Sequence, residues 1–222
     1  MVKGLKSGSR FLAVRVKKTT GRSISSARWL QRQLNDPYVH EAQKVGYRSR
    51  AAFKLMQLDD QYHFLKPGQK VIDLGAAPGG WTQIAVERGC KVTAVDILDM
   101  PPIEGAEFIQ MDFSLADAAE KLQKRVGSKV QVVLSDMAPN TTGHINTDHL
   151  RIMALADMSY EFAHLMLAPN GTFLVKLRQG GAQQELLMKL KRDFSQVRHV
   201  KPPASRPDSS ELYLLALGFR GT

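Results

Sequence analysis

The chain has 222 residues, 43% of them apolar, which is enough for one ordinary domain with a substantial core. No apolar run approaches the ~20 residues needed to cross a bilayer as a helix, and a single cysteine, Cys90, excludes an internal disulfide framework and fits a reducing compartment. The formal net charge is +10 and unevenly placed: residues 1–35 hold nine Lys/Arg and no acid, leaving 22 basic and 21 acidic side chains for the rest.

Residues 1–24 therefore read as a basic arm ahead of one domain over residues 25–222. Such an arm gains affinity for phosphate backbones by releasing their counterions; the plainer alternative is a solvated tail with no partner. An organellar leader is also basic and poor in acids, but Gly4, Gly8 and Gly21 interrupt the amphipathic helix it needs. The cytoplasm is the expected compartment.

In chain order, Ser25 or Ser26 can cap a short helix through Leu34. Asp36-Pro37 opens the next, and Gly46 stops it. Ser49 is the expected cap of a helix from Arg50 to about Tyr62, with Ala51, Leu55, Leu58 and Tyr62 at helical spacing. Arg48, Arg50 and Lys54 would then form a basic patch, for which a solvated charged face is the ordinary explanation. After Lys66-Pro67-Gly68, strands are predicted at 70–75, 91–96, 107–111, 130–136, 172–178 and 211–217, with a weaker one near 197–201. Helices are predicted at 81–88, 115–126, 150–167 and 182–193. Strands alternating with helices make an α/β fold with a mostly parallel, doubly wound sheet.

The first strand runs into Gly75-Ala76-Ala77-Pro78-Gly79-Gly80-Trp81. Gly75, Ala77 and Gly80 occupy the places of the three glycines of a dinucleotide fingerprint. A pyrophosphate wants free N–H groups at a helix start, and Pro78 has none to give. Asp96 stands 21 residues after Gly75, near the spacing of a carboxylate that binds ribose hydroxyls. A nucleoside without phosphates fits these features, which points to S-adenosylmethionine (SAM); a tight packing turn with no ligand is the alternative.

Four acids sit in or just beyond apolar runs: Asp73, Asp96, Asp112 and Asp136. In an open parallel sheet such strand ends converge on one crevice. Asp112 can accept a hydrogen bond from an adenine amino group. Lys176 interrupts Thr172-Phe173-Leu174-Val175-Leu177, where an edge position with the ammonium reaching water is the ordinary reading. Glu211 opens Leu212 to Leu217 and by itself would pass as a strand terminus.

Phe53-Lys54-Leu55, Asp73 to Trp81, Ser135-Asp136-Met137-Ala138-Pro139-Asn140, Val175-Lys176 and Ser210-Glu211-Leu212-Tyr213 resemble, in that order, the FtsJ/RrmJ family of SAM-dependent RNA ribose 2′-O-methyltransferases. The likeness runs from about Ser26 to Gly218. It implies a Rossmann-like class I methyltransferase with a seven-stranded sheet and helices on both faces. It also implies a catalytic set of Lys54, Asp136, Lys176 and Glu211, and cofactor contacts at Gly79, Trp81, Asp96, Asp112 and Asp136. The implied substrate is ribosomal RNA within the large subunit, at a uridine of the 23S A-loop. The arm before about Ser23 is longer than the family pattern, and Leu177-Arg178 replaces a more apolar continuation.

The chemistry is coherent with that set. A ribose hydroxyl is a weak nucleophile near pH 7, so the protein must align it and give its proton somewhere to go. A lysine accepts a proton only if its pKa lies well below the ordinary ~10.4. Burial, a second cation and the sulfonium favour the neutral amine, and a neighbouring carboxylate opposes it. On this reading Lys176 is the general base or orients the hydroxyl, Lys54 and Glu211 hold the ribose, and Asp136 bridges cofactor and tetrad. Residues 141–148 and 201–210, with Arg206, would form the rims. His144 and His149 lack companions at metal-ligand spacing, so no metal is expected. A monomer is expected. The alternatives are transfer RNA or cap ribose methylation, a non-catalytic RNA-binding assembly factor, and a nicotinamide-dependent oxidoreductase, which Pro78 disfavours.

Overall fold

A computed structural model describes residues 30–139, 142–179 and 183–221; the basic arm of residues 1–24 lies outside them. Two helices precede the sheet. α1 (Pro37–Val45) starts where Asp36 accepts a hydrogen bond from the Tyr38 N–H at 3.0 Å, and ends at Gly46 with φ +83°, a conformation glycine adopts without strain. α2 (Ala51–Tyr62) does not use the expected Ser49 cap. Its cap position is Arg50, without a side-chain hydrogen bond, and Ser49 Oγ is buried without a partner. The Ser49 carbonyl instead accepts from the Ala52 N–H at 3.2 Å.

The alternation then follows: β1 (Lys70–Leu74), α3 (Gly80–Glu87), β2 (Lys91–Asp96), β3 (Ala106–Gln110), α4 (Ala118–Val126), β4 (Val130–Ser135), α5 (Ile145–Met166), β5 (Leu167–Arg178), α6 (Gln184–Asp193), β6 (Phe194–Val200) and β7 (Glu211–Phe219). The seven strands form one sheet in the order β3-β2-β1-β4-β5-β7-β6. β7 enters antiparallel between β5 and β6, and the pairs among β1 to β5 are parallel. Several boundaries differ from the sequence expectation by one to three residues, and the starts of α5 and β5 by five. α5 begins at residue 145 because its polar first turn shows no apolar stripe. β5 begins at Leu167 and carries an irregular stretch opposite Val130 and Val132. β6, the weak candidate, starts at Phe194, whose ring is buried.

Period-two alternation divides the core between the two faces. Ile72, Leu74, Val133, Val175 and Leu214 pack with Leu122 of α4, Phe162 and Ala163 of α5, and Leu190 of α6. Val71, Val132, Leu134, Leu174 and Leu215 pack with Leu55 and Leu58 of α2 and Ile84 and Ala85 of α3. Each such side chain fully buried contributes about 1.5–3 kcal/mol. Because the sheet is sealed on both faces, its polar business is confined to the carboxyl ends of β1, β2, β4 and β5 and the start of β7. Among the described residues no helix is long and apolar enough to cross a membrane.

Candidate active site

Lys54, Asp136, Lys176 and Glu211 meet in one network, joined by a residue absent from the expected set. Lys54 Nζ donates to Glu211 Oε2 at 2.9 Å and to the Tyr213 hydroxyl at 3.2 Å. That hydroxyl donates to Asp136 Oδ1 at 3.0 Å. Lys176 Nζ lies 3.1 Å from the same oxygen and also donates to the Asp136 backbone carbonyl. Tyr213 thus links the two lysines through hydrogen bonds, and it is fully buried, with its ring against Trp81. The antiparallel register explains the placement: Lys176 of β5 is paired with Tyr213 of β7, and Arg178 with Glu211. In the sequence Tyr213 reads as plain apolar core and is marked only by its place in the resembling motif Ser210-Glu211-Leu212-Tyr213.

Lys176 is not at a sheet edge. β5 lies between β4 and β7, and the side chain is 8% exposed. A buried cation needs a partner, and Asp136 provides two oxygens. Tyr213 is a donor at any ordinary pH: burial above all, then the carboxylates of Asp136 and Glu211, push its hydroxyl well above the usual 10. Burial works against charge on Glu211, but Lys54 and then Lys176 outweigh it and hold that carboxyl below its usual range. Glu211 is therefore an anion at neutral pH.

The expected basic trio of Arg48, Arg50 and Lys54 is split among three tasks. Arg48 donates to the carbonyls of Pro78, Pro101 and Pro102, tying the start of α2 to the turn and to the loop after β2. Arg50 pairs with Asp36 and donates to the Ala204 carbonyl. Arg206 joins the same Asp36 at 2.9 Å, so the 201–210 loop is fastened to the head of α1. Beside Lys54 and Glu211 is a cavity of about 210 Å³, walled also by Arg32, Arg50, Arg206 and Asp208. Arg50 Nε and Arg206 Nη2 are buried there without partners. Asp148, in the first turn of α5, accepts from Thr142 N and Oγ1, each at 2.7 Å, which ties the preceding segment to the helix.

The turn after β1 fits a nucleoside cofactor. A Cβ on Gly75 (φ +79°) would lie 2.8 Å from the Met137 backbone, and one on Gly79 (φ +111°) 2.6 Å from Ile103. Bare backbone is required at both. Asp96 Oδ2 accepts from the Ala77 N–H at 2.9 Å and Oδ1 from the Leu98 N–H at 2.8 Å. Each oxygen keeps a further lone pair for a ribose hydroxyl. Asp112 Oδ1 accepts from Ser114 N and Oγ; these bonds, the hydroxyl's first, hold its carboxyl below the usual range, so it is an anionic acceptor suited to an adenine amino group. Trp81, an expected cofactor contact, turns its indole away. It is 2% exposed and donates to the Ala51 carbonyl at 2.9 Å, which leaves the backbone of α3's first turn for the crevice. Asp73 is also buried, held by Thr82. Among the described residues no three His, Cys, Asp or Glu side chains are grouped to hold a metal.

Comparison with known proteins identifies the family. Residues 47–219 match the model of the FtsJ-like methyltransferase family. The chain is 55% identical to the ribosomal RNA large subunit methyltransferase E of Paramagnetospirillum magneticum, over 97% of this chain and 91% of that one. It is 57% identical to the protein of the same name from Xanthobacter autotrophicus, over 96% and 86%. A solved ribosomal RNA methyltransferase from Plasmodium falciparum superposes with a TM-score of 0.71 at 33% identity, covering 79% of this chain and all of that one. The chain belongs to the FtsJ-like methyltransferase family and uses S-adenosylmethionine.

Proposed function

We propose that the protein methylates the 2′-hydroxyl of a uridine ribose in 23S ribosomal RNA, within the large ribosomal subunit and in the cytoplasm. The observation that carries this reading is the hydrogen-bonded network of Lys54, Tyr213, Asp136 and Lys176, with Glu211 on Lys54, at the strand ends beside the glycine turn. The names of the relatives, ribosomal RNA methyltransferases over nearly the full chain, support the substrate class.

SAM supplies an activated methyl group and departs as a neutral thioether. The chain must present an alcohol in line with it and take the alcohol's proton. Lys176, in its neutral form after releasing a proton to solvent, is the group for that task. Two acceptors of Asp136 fix its Nζ, which leaves the remaining direction of the amine for the ribose oxygen. Asp136 and Tyr213 keep the amine from turning away, and Lys54, neutralised by Glu211, positions the ribose from the other side. The cavity beside Glu211, walled by Arg32, Arg50 and Arg206, suits a phosphate of the same RNA strand. Phosphate contacts of this kind fix the register of the strand and leave its sequence unread.

Incubating the protein with labelled SAM and large subunits from a strain lacking this activity, then mapping the methyl group, tests the reading. Label at a single uridine 2′-oxygen is expected. Label on a base, on transfer RNA alone, or nowhere would overturn it.

A further inference from the structure

Of the four acids at the strand ends, Asp73 has no part in the reaction above. It is 0% exposed, and its Oδ2 accepts from Thr82 Oγ1 at 2.7 Å. Its Oδ1 has no partner at all. In the sheet register Asp73 lies opposite Ala94 of β2 and Leu134 of β4. Asp96 and Asp136 stand two positions further along those strands. Side chains two apart share a face, and strand geometry sets the Cα separations at roughly 8 Å. Three carboxyl groups therefore crowd one side of the crevice floor, and Asp73 is the deepest.

The charged and titratable groups around it are few. α3 offers the neutral Thr82, and β2 offers Asp96, whose two oxygens are bonded to backbone N–H groups. The end of β4 offers Asp136, already paired with Lys176. Across α3, α2 brings Lys54, already held by Glu211 and Tyr213. Asp73 thus has like charges for neighbours and no cation of its own. Burial dominates its titration; the Thr82 hydroxyl opposes, Asp136 and Asp96 add to it, and the carboxyl is pushed up to about 7.

The cofactor's substrate and product forms share adenine, ribose, amino and carboxylate groups. They differ by one methyl group and one positive charge on sulfur. For transfer to occur that sulfur must lie between the glycine turn and the Asp136 network, and Asp73 is two residues before Gly75 on the strand that feeds the turn. We propose that Asp73 is the group by which the protein distinguishes SAM from S-adenosylhomocysteine: its proton is bound more tightly in the free protein, is released to solvent when the sulfonium is bound, and is taken up again once the sulfur is neutral. Binding of the methyl donor is then linked to proton release, and the spent product is held without that gain. The inference rests on the cofactor and the strand-end acids and is independent of which hydroxyl is methylated.

Calorimetric titration of the full chain with each cofactor form at pH 7, in phosphate and in Tris, reads the proton count from the difference in buffer ionisation heats. SAM is expected to release roughly half a proton more per site than S-adenosylhomocysteine, as a group half ionised at pH 7 requires. Between pH 6 and pH 8 the ratio of SAM to S-adenosylhomocysteine affinity should rise by ~tenfold, the scale of one charge acting on another across several ångströms of protein. Asp73→Asn should keep S-adenosylhomocysteine affinity, abolish the extra proton and flatten the ratio. Equal proton counts for the two forms, a ratio flat with pH, or release that survives Asp73→Asn would overturn the proposal. If Asp73→Asn does not fold, the first two measurements on the unaltered protein decide alone.

Discussion

The cofactor side of the crevice is made almost entirely from one stretch, β1 through the end of β3, in which each strand delivers its acid to the turn or loop that follows it. The tetrad side is gathered from α2, the ends of β4 and β5 and the start of β7, so that Lys54 and its partner Glu211 are 157 residues apart. The first region depends on local backbone shape: positive φ at Gly75 and Gly79, and bare space where a side chain would collide. The second depends on side-chain hydrogen bonds that exist only once the sheet has closed around β7. On the proposed reading, binding and chemistry are carried by structures that can fail separately.

The largest expected effect is on the second region. Lys176→Ala should lower kcat by about 10²–10⁴-fold, the range for removal of a positioned base, with SAM affinity within about twofold of the unaltered protein by calorimetry. A parallel loss of SAM affinity would show that the two regions are one. Gly75→Ala inverts the pattern. The forced conformation and the collision with Met137 are expected to cost about 1–3 kcal/mol, read as a SAM dissociation constant raised by about tenfold or more; because Met137 follows Asp136, a fall in kcat at saturating SAM would measure how far strain crosses the boundary. Tyr213→Phe removes the hydroxyl between the lysines. Roughly 1–3 kcal/mol of stability should go with it, since Asp136 loses a buried donor and Lys54 an acceptor, together with a fall in kcat and an unchanged SAM dissociation constant. Asp112→Asn should be mildest, weakening SAM by about 1 kcal/mol, severalfold, without touching kcat at saturation. An effect of Asp112→Asn on kcat would break the division.

That division also explains what was legible in the sequence. Asp36-Pro37 with Gly46, the strand end at Asp96 and the small-residue turn each reflect a local rule, and each stands where expected. Ser49 failed as a cap because α2 starts against α3, where the space beside Gly80 decides the backbone path: a Cβ on Gly80 would lie 2.3 Å from Ser49 Oγ. The arginines before Lys54 looked alike in the sequence and have separate uses, because their partners are carbonyls and an acid from loops far along the chain. Lys54, Lys176 and Glu211 were paired only through the family resemblance, since no spacing or periodicity relates residues in a helix and two strands. Tyr213 was missed because a tyrosine in an apolar strand is ordinary core, and its role appears only in the register with Lys176.

That register has a consequence for how the chain can vary in length. The Lys176–Tyr213 pairing holds only while β7 keeps its count of residues, because adding or deleting one between Glu211 and the pairing site would send the tyrosine to the α5 side and bring a leucine beneath the lysine. Residues 201–210, joining β6 to β7, carry no such parity. Linker insertions should be accommodated at its exposed Pro207-Asp208, not at the buried Ala204 or at Arg206, which holds Asp36, and rejected in the strand that follows. The strand beside the lysine thus acts as a ruler, and the loop before it as the place where the protein can change its reach.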